Sequence, residues 1–108
     1  MAHALAPKIV ESVNAYVSLL RKEIPIAAVY VFGSHAKDSA HEDSDIDVAV
    51  ISPSFGSDPV RDGSWLQNKL WDAPSKNIDV IGYSPAFFEH ENSPLIHEIK
   101  KSGIVLVS

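Results

Sequence analysis

The sequence predicts an alternating α/β domain, or an α+β layer with helices over a single sheet. Three observations lead there. An early segment carries apolar residues at helical spacing, and three later segments repeat that pattern more briefly. Between them lie short, β-branched or aromatic runs of strand length. Pro, Gly and Ser punctuate the joins, giving the order helix, strand, helix, strand, helix, strand, helix, strand.

Met1 to Ala6 is expected to be a loose start, and Pro7 suits a first helical turn. From Lys8 to Glu23, Ile9, Val13, Tyr16, Val17, Leu20 and Ile24 form one stripe, with polar residues opposite. Pro25 stops this helix. Ala27 to Phe32 is uncharged and reads as a buried strand. Gly33-Ser34 ends it, His35 to Ala40 is predicted to make one or two helical turns, and His41 to Ser44 to form a polar loop. Ile46 to Ile51 is a second strand, with Ile46, Val48 and Val50 on one face and Asp45, Asp47 and Ala49 on the other. Pro53 to Asp58 is a loop.

Pro59 to Trp71 is predicted helical, with Val60, Leu66 and Leu70 aligned, although Gly63 weakens it by about 1 kcal/mol relative to alanine. Ala73 to Asn77 turns into a third strand, Ile78 to Tyr83, interrupted by Asp79. Ser84-Pro85 starts a short helical turn through Phe88. Pro94 to Ser102 reads as a helix with Leu95, Ile96 and Ile99 inward and Gly103 as its C-terminal cap. Ile104 to Val107 is a last short strand.

The 108 residues are expected to form a single domain, 1–108. With 45% hydrophobic residues a core can form, while the small size leaves room for an oligomer or a partner chain. Nine scattered Lys and Arg within a net charge of −5 argue against an extended nucleic-acid surface. The absence of cysteine excludes disulfides and thiolate zinc sites. No apolar run is long enough for a membrane span, so a soluble cytoplasmic protein is expected.

Two places carry candidate chemistry. Gly33-Ser34 sits where a strand meets a helix, and glycine there lets the backbone approach a phosphate at a helix N-terminus. A plain turn with Ser34 as N-cap explains the same pair. Asp45 and Asp47 lie one residue apart on a strand, so both point to one face. Aspartate is poor in strands, and paired carboxylates repel unless a cation or a proton intervenes. Mg²⁺ is a suitable cation, shared between one or two carboxylates and phosphates. A solvated strand start is the plainer reading. Asp79, a lone carboxylate in an apolar strand, would complete a three-carboxylate cluster if its strand lies beside Asp45–Ile51. His41, Glu42 and Asp43 read as a solvated loop, and His90 and His97 as surface positions. Trp65 and Trp71 read as core anchors or an interface patch, and Tyr30 and Tyr83 as packing.

The run FGSHAKDSAHEDSDIDVAV, with Gly33-Ser34 followed after ten residues by Asp45-Ile46-Asp47, resembles the G-S-x₁₀-D-x-D signature of the polymerase-beta-type nucleotidyltransferase superfamily. The chain is most similar to the minimal nucleotidyltransferases, the MntA-like antitoxin partners of HEPN toxins. The resemblance implies a nucleotidyltransferase fold with a mixed sheet of about four strands and helices packed on it. It implies that Gly33 and Ser34 hold nucleotide phosphates, that Asp45 and Asp47 bind Mg²⁺, and that Asp79 is a third metal ligand and general base. Two Mg²⁺ ions and ATP as substrate follow from it. So does a HEPN-type ribonuclease toxin as partner, with AMP added to one of its tyrosines. The sequence departs from the family at His35, where a basic residue is common, and at Lys37-Asp38, where an Arg-Gly pair is common. Lys37 is the remaining phosphate cation, and Asp38 brings negative charge near the triphosphate. The alternatives are a non-catalytic module that blocks a partner by occlusion, and nucleotidyl transfer to a small molecule. The larger relatives' acceptor domain, which the latter would need, has no counterpart in these residues.

Overall fold

The computed structural model describes residues 5–33, 45–56, 58–73 and 77–107. The predicted turns over His35 to Ala40, the polar loop His41 to Ser44 and most of the turn before Asn77 lie outside the described residues.

The first helix, α1 (Pro7–Arg21), opens on a proline, whose fixed φ suits a first turn. It buries Ile9, Val13, Tyr16, Val17 and Leu20 along one stripe. Leu5, expected in a loose start, packs against that core. Strand β1 (Ala28–Phe32) follows, then β2 (Ile46–Ile51), α2 (Pro59–Lys69), a single 3₁₀ turn (Leu70–Asp72) and β3 (Ile78–Tyr83). Two short helices, α3 (Pro85–His90) and α4 (Pro94–Ser102), lead to β4 (Ile104–Val107).

The helices after α1 start alike. Asp58, Ser84 and Ser93 accept hydrogen bonds from the backbone N–H groups of Arg61, Phe87 and Ile96, and each precedes a proline. The side chain supplies an acceptor for a first-turn donor that has no intrahelical partner.

The four strands run in the order β3-β2-β1-β4. β1 is antiparallel to both β2 and β4, while β2 and β3 are parallel, so the sheet is mixed. Only the parallel pair needs a crossover, and α2 provides it. Helices cover both faces. One face, with Val29, Val31, Ile46, Val48, Val50, Ile78 and Val80, packs under α1 and α2. The other, with Phe32, Ala49 and Ile51, packs under Phe88 of α3 and Ile96 and Ile99 of α4.

Two contacts fix α2 on its face. The Tyr16 hydroxyl donates to the Leu66 carbonyl at 2.7 Å inside the core. Gly82 of β3 has no side chain where Leu66 and Phe55 press in; a Cβ there would lie 2.8 Å from carbons of both. Lys69 pairs with Glu23 and lies 5.5 Å from the Trp65 ring centroid.

Two predicted inward positions point outward, and Trp71 is exposed with them. Val60 is 79% exposed because it lies six residues, roughly 240° of helix rotation, from the buried Leu66. Leu95 is 42% exposed, since the buried stripe of α4 is centred between Ile96 and Ile99. Trp71, read as a core anchor or an interface patch, is 78% exposed in the 3₁₀ turn that departs from the α2 stripe, which excludes only the first of these. Trp65 does anchor, half-buried with its ring edge-on to Phe55 at 6.4 Å. Tyr30 and Tyr83 pack on Phe88 at 5.1 and 6.0 Å between ring centroids. Gly103 caps α4, with its N–H bonded to the Ile99 carbonyl, in ordinary extended backbone (φ −68°).

Candidate functional site

Asp45 and Asp47 enter at the start of β2 because the strand's alternation leaves them opposite its fully buried side. Ile46 and Val48 go to the α1/α2 core. Ala49 and Ile51, which share the parity of Asp45 and Asp47, go to the α3/α4 side. In β3, Ile78 and Val80 join the first core and Ile81 and Tyr83 the second, so Asp79 faces the same side as Asp47.

The strand register brings these points together. Asp47 and Asp79 are direct partners across the parallel β2–β3 pair. Asp47 is also the partner of Phe32, the last residue of β1, across the antiparallel pair. The next residue is Gly33, so the end of β1 and the starts of β2 and β3 meet at one edge of the sheet. Asp45 and Asp79 are exposed and Asp47 is half-buried. A central strand position held on both sides explains the difference.

Gly33 turns with φ +74°, in the left-handed region that side chains disfavour. Its open side faces Asp47. A Cβ built on Gly33 would overlap the Asp47 carboxylate oxygen Oδ2 and approach Cγ to 3.2 Å. The glycine signal in the sequence was a turn and a phosphate approach; its contact with the carboxylate is what sequence reasoning missed. No sequence signal carries it, because both the positive φ of Gly33 and the pairing of Phe32 with Asp47 are long-range or backbone features.

Ser34 and Lys37, with His35 and Asp38, lie outside the described residues. Among the described residues, no three His, Cys, Asp or Glu side chains are grouped so as to hold a metal ion. The donor set nevertheless fits Mg²⁺. It consists of hard oxygen ligands on neighbouring strands, and Mg²⁺ commonly takes only one or two carboxylates, with water and substrate phosphates completing its octahedron. His90 and His97 are exposed on α3 and α4.

The arrangement can place acidic oxygen ligands beside a tight backbone turn at one end of the sheet. No helix among the described residues is long and apolar enough to cross a membrane.

The chain is 34% identical over 70 residues to the protein adenylyltransferase MntA of Shewanella oneidensis, a match covering 63% of this chain and 48% of that protein. It therefore spans about half the length of that curated relative. A crystal structure of a toxin–antitoxin with AMP-PNP is similar with a TM-score of 0.63 and 28% identity, over 86% of this chain and 70% of that one. The MntA–HepT toxin–antitoxin crystal structure is similar with a TM-score of 0.58 and 25% identity, over 92% and 70%. The polymerase beta nucleotidyltransferase family matches residues 14–108, from the middle of α1 through the whole sheet. On that match, the chain belongs to the polymerase beta nucleotidyltransferase family.

Proposed function

We propose that this chain transfers AMP from ATP to a hydroxyl group of a partner protein, a tyrosine on a HEPN-type toxin, and thereby acts as an antitoxin. The observation that carries the reading is the Asp47–Asp79 register pair beside the Gly33 turn. The relatives support it: one is named a protein adenylyltransferase, and others are toxin–antitoxin complexes, one of them with AMP-PNP.

In this reading Asp45, Asp47 and Asp79 would hold two Mg²⁺ ions, and the chemistry these would supply is neutralisation of triphosphate charge and a lowered pKa of the acceptor hydroxyl. The Gly33 turn lets backbone approach the phosphates, and the reading assigns Ser34 and Lys37 to phosphate binding as well. Asp79, exposed on edge strand β3, accepts the proton of the acceptor hydroxyl. The acceptor oxygen then bonds to the α-phosphorus, the bond from that phosphorus to the bridging oxygen breaks, and pyrophosphate leaves. Positioning and charge compensation supply most of the acceleration, as in other phosphoryl transfers. Among the described residues β3 pairs only with β2, and its other side is the approach this reading gives to a protein-borne tyrosine. The reading implies a cytoplasmic setting, where ATP is available.

The test is incubation of the purified chain with a HEPN-type toxin, ATP and Mg²⁺, followed by intact-mass and peptide mass spectrometry. A gain of AMP on a toxin tyrosine is expected. A stable, inhibited complex without added AMP would replace transfer by occlusion.

A further inference from the structure

We infer that Gly33 is a positioning residue for Asp47: the absent side chain is the space that the Asp47 carboxylate occupies. This deepens the reading above and rests on its assignment of Asp47 as a metal ligand.

The geometry leaves little freedom. A Cβ on Gly33 would overlap Asp47 Oδ2, with Cγ at 3.2 Å and Cβ at 3.5 Å. Asp47 cannot back away, because its backbone is paired to Phe32 on one side and Asp79 on the other. A central strand position relaxes by rotating its side chain, not by moving its chain. A methyl at position 33 therefore swings the carboxylate away from its present direction. A metal ligand turned away is lost even though its charge remains, much as loss of an orienting neighbour weakens a metal site. Glycine is thus needed here twice over, once for φ +74° and once for the carboxylate.

The two needs separate experimentally. Asparagine tolerates the left-handed region better than other side-chain-bearing residues but still carries a Cβ. D-alanine, introduced by semisynthesis, accepts positive φ and places its methyl on the opposite side of Cα. Binding of Mn²⁺ alone is read from the loss of the free-ion electron paramagnetic resonance signal. Gly33→Ala and Gly33→Asn are expected to weaken Mn²⁺ binding by about tenfold or more, while D-alanine at position 33 stays close to wild type. Wild-type Mn²⁺ binding by Gly33→Asn would overturn the proposal, leaving glycine a backbone role only.

A double-variant cycle on denaturant midpoints reads the contact without any metal. Gly33→Ala is expected to cost less stability in an Asp47→Gly background than in the wild type. Equal costs in the two backgrounds would overturn the proposal, even with normal Mn²⁺ binding by the wild type. Unequal costs with no Mn²⁺ binding by the wild type would instead refute the metal reading of Asp47. The positioning role would fall with that reading, and the steric contact alone would remain.

Discussion

Asp47 and Asp79 face each other as register partners on adjacent parallel strands, although 31 positions separate them in the chain and α2 lies between. Two carboxylates at neighbouring backbone positions on one sheet face repel each other in the absence of a cation. A cation bound between them would relieve that repulsion, which ties the pairing to the proposed chemistry.

Removing one charge of that pair should stabilise the metal-free protein. Asp79→Asn is expected to raise stability by about 0.5 kcal/mol in chelator-containing buffer, less at high salt, because Asp79 is exposed. The same variant should lose AMP transfer while retaining much of its affinity for ATP. Thermal melts with and without salt check the first outcome, and a labelled-ATP transfer assay the second. Wild-type transfer by Asp79→Asn would remove this residue from the reaction.

Mg²⁺ should raise the melting temperature of the wild type, since a ligand that binds only the folded state stabilises it by mass action, about 2.7 kcal/mol at a hundred times its Kd. Asp47→Asn is expected to abolish most of that shift and AMP transfer together. A Mg²⁺-dependent shift as large as that of the wild type would place the ion elsewhere.

The sheet interior gives a prediction away from the site. Gly82→Ala would put a methyl 2.8 Å from Leu66 Cδ1 and Phe55 Cε2, between β3 and α2. Overpacking of this kind costs roughly 1–3 kcal/mol. Chemical denaturation should show that loss, while Mn²⁺ affinity of the folded protein remains unchanged. A neutral result would mean that Phe55, which belongs to the loop before α2, yields easily.

Much of this could be read from local pattern, and the exceptions have a common cause. The Ile9 to Leu20 stripe and the β-branched runs identify α1 and the strands because periodicity is a property of neighbouring residues. The shared face of Asp45 and Asp47 follows from the same two-residue period. That Asp79 lies beside Asp47 does not, since strand order is a long-range pairing that no window of sequence contains. Val60 and Leu95 face outward against their apolar character because a residue in a first helical turn sets no phase; the buried Leu66, Ile96 and Ile99 do. The Gly33–Asp47 contact joins two segments through one backbone angle, and that angle became visible only with coordinates.

Tyr16 links the two helices of the first face and gives the fold an alkaline limit. Burial disfavours its phenolate and pushes its pKa well above the ordinary value of 10.0. Below pH 10 the hydroxyl is protonated in both folded and unfolded chains, and its contribution is fully present. As pH rises past 10 the unfolded chain releases the proton while the folded chain retains it. The unfolded state then binds fewer protons, so stability falls with pH, by up to about 1.4 kcal/mol per pH unit from this group. Tyr16→Phe removes that slope and also the hydrogen bond to the Leu66 carbonyl, at a cost of about 1 kcal/mol near neutrality. Denaturant melts from pH 7 to 11.5 should therefore show the wild type more stable at neutral pH and the gap narrowing above pH 10. Tyr83, also pushed upward by burial, is present in both proteins and drops out of the difference. A gap that stays constant across the range would mean that the phenolate is accommodated inside the fold.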